Sequence, residues 1–99
     1  MASREKYYCV YILSNFRRAV LYTGITSNLV ARVYQHKNEL TEGFSKSYHT
    51  HDLIYFEVFD NPTTAIEREK QIKSWSRKKK DALIMKFNPE LKDLYSQIV

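Results

Sequence analysis

The chain has 99 residues, 43% hydrophobic and 27% charged, with sixteen Lys and Arg against eleven Asp and Glu for a net charge of +5. That length bounds it to one domain, 1–99, around one small core, because two cores would each bury too little apolar surface. No apolar run approaches the roughly 20 residues that cross a bilayer, and the charged start MASREKYY with its short following run does not read as a secretory leader, so neither a membrane span nor secretion is expected.

Residues 7–13, YYCVYIL, are aromatic and β-branched and have apolar side chains on both alternating faces, which predicts a strand buried on both sides. Cys9 lies in it as a small buried hydrophobe; a lone cysteine leaves no internal disulfide and no sulfur-based zinc site, and suits a reducing, cytoplasmic setting. The polar residues 14–18 are too few for a crossover, so residues 19–22 form an antiparallel second strand, which Gly24 ends. Thr26 or Ser27 caps the next helix, whose face carries Leu29, Val33, His36 and Leu40 and which ends near Glu39 or Leu40.

Residues 41–52 are polar and read as a loop, with Tyr48 as an anchor and with His49 and His51 as loop surface, since the sequence offers no third metal ligand at a suitable spacing. A third strand follows at 53–59. Asn61-Pro62 then opens a helix with a cap and a proline at its first position, and its apolar arc of Ala65, Ile66, Ile72 and Trp75 contains Glu69. DALIMKF predicts a further helix, and Asn88-Pro89 repeats the cap-then-proline signal before a last short helical stretch. The order β-β-α-β-α-α is an α+β fold, a small three-stranded antiparallel sheet flanked by helices.

Glu69 has two readings. An ionised carboxylate on an apolar helix face is costly without a partner, so it either pairs with Arg68 or Lys73, or holds a hard divalent cation. Arg32 and His36, one turn apart, can clamp a phosphate and move a proton, or can be an ordinary surface arginine and a histidine at the core edge. A tyrosine such as Tyr11 or Tyr22 is a general base only where a cation or a metal-bound hydroxide draws off its proton. Seven basic residues stand between Arg68 and Lys80, among them Lys73, Arg77, Lys78, Lys79 and Lys80; they either solvate a helix face or attract a polyanion.

In their order, these residues resemble the GIY-YIG nuclease family, most closely its small single-domain bacterial members. Cys9-Val10-Tyr11 stands for the first half of the motif and Tyr22-Thr23-Gly24 for the second, ten residues separating the two tyrosines; TSNLVARVYQH matches the helix with the family's arginine, at Arg32, and a histidine, at His36; and AIEREKQIKSW matches the helix with its glutamate, at Glu69. The resemblance implies a metal-dependent endonuclease that hydrolyses DNA with low sequence specificity, in a setting such as DNA repair. It implies one Mg²⁺ or Mn²⁺ at Glu69. Tyr22 would take or relay the proton of the attacking water with Tyr11 in support, Arg32 would stabilise phosphate charge, and His36 would assist proton transfer. Substrate choice would rest on branched or single-stranded DNA structure or on a partner protein, there being no room for a recognition domain. Cys9 replaces the glycine of the first half-motif, Ile25 stands where some members have lysine, and no asparagine clearly matches the one that often follows the glutamate helix. The competing reading is a nucleic-acid-binding or accessory module that keeps the fold with little catalysis.

Overall fold

The computed structural model describes residues 6–99, so the expectation about a leader at residues 1–5 lies outside the described part. In chain order the elements are β1 (Tyr8–Ser14), β2 (Leu21–Thr26), α1 (Leu29–Lys37), α2 (Phe44–Tyr48), β3 (Asp52–Phe59), α3 (Pro62–Ser74), α4 (Arg77–Phe87) and α5 (Tyr95–Ile98). Both strand pairings are antiparallel and the sheet order is β2-β1-β3. The architecture is the expected α+β fold, with the short α2 formed inside the expected loop and α5 in the expected C-terminal stretch.

Being central, β1 is buried from both sides: Val10, Tyr11, Ile12 and Leu13 are fully enclosed. Val10 and Ile12 face one core with Ile54, Tyr55, Ala65, Ile72 and Ile84, roofed by α3 and α4. Tyr11 and Leu13 face a second core with Val33, Leu53 and Leu94, roofed by α1 and α5. Ile54 is an extra residue in β3, because Ile12 pairs with Tyr55 while Leu13 pairs with Leu53; the bulge lets Ile54 and Tyr55 both serve the first core.

The cap at Asn61 is as expected, its side chain accepting from the amides of Thr63 and Thr64 with Pro62 in the first turn. Other boundaries differ for local reasons. Gly24 does not end β2 but lies within it, opposite Tyr11. The cap of α1 is Asn28, which accepts from Ala31 at 3.1 Å, whereas Thr26 stays paired with Cys9 in the sheet. Helix α1 stops at Lys37 and α4 starts at Arg77, where Ser76 caps it by accepting from Lys79. Asn88 closes α4 instead of opening a helix: it is buried and its amide donates to the carbonyls of Ile54 and Lys92.

Candidate active site

Strand alternation sends Tyr11 and Tyr22 to the same face of the sheet, and the first helix carries Arg32 and His36 over them. The tyrosine ring centres are 6.2 Å apart, and His36 lies 6.0 Å from Tyr11 and 5.4 Å from Tyr22. Tyr11 Oη is 3.3 Å from His36 Nε2. Gly24 makes this packing fit: a Cβ on it would stand 2.5 Å from both Cζ and Oη of Tyr11. Space, and not a positive φ, requires the glycine.

The protonation states of the pair follow from burial. Tyr11 is raised well above the usual phenol range by its burial and by neighbouring Tyr22, with the Arg32 cation beside it acting in the opposite direction. His36 is lowered by burial, then by the charges of Arg32 and His51. At neutral pH Tyr11 is therefore a phenol and His36 a neutral imidazole that share a hydrogen bond between Oη and Nε2, while His36 Nδ1 is buried without a hydrogen-bond partner. Cys9 is free, buried and also raised by burial, in keeping with an inert core residue.

The structure thus brings together Tyr11, Tyr22, Arg32 and His36. It places Glu69 on α3, whose Ala65 and Ile72 pack on the sheet face opposite to that of Tyr11 and Tyr22. Among the described residues Glu69 has no hydrogen bond or ion pair to those four; its carboxylate pairs with Lys73 at 3.0 Å, the partner foreseen in its structural reading. Its neighbours on the same stripe of α3 nonetheless reach grooves lined by two of them, Arg32 and Tyr22. Ile66, three residues before it, lines a groove of about 320 Å³ with Arg32, and Lys73, four after it, lines one of about 300 Å³ with Tyr22 and Lys80. Along the helix, Glu69 lies between Ile66 and Lys73.

The basic residues divide. Lys73 and Lys80 line the groove beside Tyr22. Lys78 is exposed in the first turn of α4. Lys79 places its ammonium 4.3 Å from the Trp75 ring centre. Arg77 is already engaged, donating to the carbonyls of Arg18 and Ala19 at 2.7 and 2.8 Å and to Asp81.

Phe44, which the sequence did not single out, and Tyr48, the expected anchor, complete the surroundings of Tyr22. Phe44 stacks on it at 6.0 Å, and Tyr48 packs on Phe44 at 4.5 Å. The signal lay in their spacing: an aromatic pair at i and i+4 within a polar stretch is one turn of helix.

Three comparisons bear on this arrangement. Residues 7–82 match the profile of the GIY-YIG catalytic domain. UPF0213 protein SSP2268 of Staphylococcus saprophyticus is 35% identical over 80 residues, which span 81% of this chain and 95% of that protein. UPF0213 protein CPE1444 of Clostridium perfringens is 39% identical over 75 residues, spanning 76% of this chain and 80% of that one. The solution structure of UPF0213 protein BH0048 from Bacillus halodurans is similar with a TM-score of 0.52 at 26% identity, over 79% of this chain and 82% of that one.

Proposed function

The chain belongs to the GIY-YIG family of nuclease domains, and from that premise we propose that it is a single-domain, divalent-metal-dependent endonuclease that cuts DNA with low sequence specificity in the cytoplasm. The observation that carries this reading is the groove lined by Tyr22, where Lys73 and Lys80 supply positive charge. A phosphodiester drawn there meets the cations that a developing negative charge needs.

Catalysis would proceed by attack of water on phosphorus in line with the leaving sugar oxygen. Tyr22, half-buried and open to the groove, receives the water's proton as it passes its own to solvent there, and the leaving sugar oxygen takes a proton from solvent. Tyr11 does not exchange a proton, since burial keeps it a phenol; it orients His36 through its hydrogen bond. His36, held neutral, is able to accept a proton, and Arg32 opposes charge on the phosphate oxygens. Glu69 fits a hard cation: its side chain is only 14% exposed, and the Lys73 ammonium that covers it sits on a side chain 53% exposed and free to swing away. An i,i+4 pair of this kind contributes about 0.3–0.5 kcal/mol, little enough for a divalent ion to displace. Bound there, Mg²⁺ or Mn²⁺ would act as a Lewis acid toward the phosphate.

The same Glu69–Lys73 pair favours the second reading, a binding module whose carboxylate is structural. Incubating the protein with labelled duplex, single-stranded and branched DNA in Mg²⁺ or Mn²⁺ separates the two. The nuclease reading expects nicking that EDTA abolishes and that Glu69→Ala and Tyr22→Phe each reduce by about 100-fold or more. Intact DNA in every lane, with salt-sensitive binding retained by all three proteins, makes it a binding module.

A further inference from the structure

His49 and His51 lie on opposite sides of Thr50, and the fold brings them a third donor that the sequence does not advertise. Glu39 arrives from the end of α1, ten and twelve residues earlier, and one of its oxygens, Oε2, is 2.5 Å from His49 Nδ1 and 2.8 Å from His51 Nε2. The three donor atoms all lie within 4.8 Å of one another. We propose that Glu39, His49 and His51 form a binding site for a divalent transition-metal ion, zinc by preference, where α1, α2 and β3 meet.

The donor set is the first argument. Two imidazoles and a carboxylate are borderline ligands that suit Zn²⁺ and its neighbours in the first transition row, not Mg²⁺. A tetrahedral zinc with bonds of about 2.0–2.2 Å leaves its ligand atoms roughly 3.3 Å apart, so the cluster needs donor shifts of less than about 1 Å to receive one. Three protein ligands leave the fourth position open. His49 and His51 also line a cavity of about 390 Å³ with Asn15, Phe16, Arg17 and Asp52, which gives water or an anionic group access to that position.

The backbone is the second argument. Glu39 has φ 53° and His49 has φ 55°, each at the end of a helix. Glycine or asparagine is the usual occupant of such left-handed positions, and other residues pay roughly 1 kcal/mol or more for them. Here both positions carry metal-ligating side chains, and both side chains turn to one point. An ion at that point would tie the end of α1 to the end of α2 and the start of β3. Since α2 carries Tyr48 and Phe44, it would also hold the aromatic stack that covers Tyr22.

This site stands apart from Glu69 and does not rest on the nuclease reading. Metal-stripped full-length protein titrated with ZnCl₂ by calorimetry, and with Co²⁺ by visible absorption, tests it. Expected are one ion per chain with a dissociation constant of about 10 µM or tighter, a four-coordinate Co²⁺ spectrum, and a zinc-dependent rise in Tm. The His49→Asn/His51→Ala variant keeps a residue suited to left-handed backbone at 49, so it should fold and yet bind at least about 100-fold more weakly. Glu39→Gln should weaken binding by about 10-fold or more, and Glu69→Ala should bind as wild type does. No heat and no cobalt spectrum up to about 1 mM metal overturns the proposal. So does binding that survives in the double histidine variant, or binding that is lost in Glu69→Ala instead.

Discussion

Gly24 and Tyr11 are a matched pair across two strands, one lacking the atom that the other's ring displaces. Adding that atom by Gly24→Ala forces a fully buried ring to move. The expected cost is about 1–3 kcal/mol in denaturant unfolding, with loss of the Tyr11–His36 contact and of cleavage. Gly43→Ala serves as a comparison: at φ 111° its penalty is in the backbone, nothing lies within 4 Å of the added Cβ, and Tyr11 stays in place. Wild-type stability and activity in Gly24→Ala would refute the close approach. The sequence shows that a glycine follows the second tyrosine by two positions; it does not show that an aromatic ring from the neighbouring strand lies over it. For that reason Gly24 reads as a strand end from the sequence alone. Arg32 and His36, by contrast, are legible as a pair, because helical spacing alone places them one turn apart.

Elements were legible where their ends carry their own chemistry. Asn61-Pro62 announces α3, and alternation announces β1 and β3. Helix α2, of five residues, lacks a side-chain cap and is too short to build a period, so its formation depends on Phe44 and Tyr48 packing toward Tyr22. Between elements the sequence is silent, as the link from β3 to α3 illustrates. Arg68 makes a forked contact with Glu57, donating from Nε at 2.9 and 3.2 Å and from Nη2 at 2.9 Å, and Tyr55 also donates to Glu57. Burial pushes the Glu57 carboxyl up, but the bonds from Arg68 and Tyr55 together outweigh it and leave it below its ordinary value of 4.5. A lowered carboxylate adds stability that is complete above its unfolded value and fades as pH falls through the folded one. The loss therefore begins below about pH 4.5. Glu57→Gln should cost about 1–3 kcal/mol at neutral pH and flatten the fall in stability between about pH 5 and 3. Parallel stability curves for the two proteins over that range would show that Glu57 gains nothing from its partners.

Across the whole molecule, the net charge of +5 is concentrated in part at the start of α4. The first turn of α4 holds Arg77, Lys78, Lys79 and Lys80 with no acidic residue, against a helix dipole that disfavours cations there by about 0.3–1 kcal/mol each. Arg77 recovers that cost through three fixed acceptors and so acts as a clasp on the β1–β2 connection. Lys78 is exposed, and Lys80 lines the groove at Tyr22 without an ion pair among the described residues. Composition reveals the excess charge, whereas only the fold separates the clasp from the cations left for a ligand. If the unengaged cations meet phosphate, affinity for DNA falls linearly on a double-logarithmic salt plot, with a slope near the number of phosphates neutralised. Lys78→Gln/Lys80→Gln should then reduce that slope by about 1–2, while Arg77→Gln lowers thermal stability and changes the slope less. Equal slopes for the wild type and the double lysine variant would mean that DNA does not lie along this edge, and that the charge at the start of α4 serves another ligand.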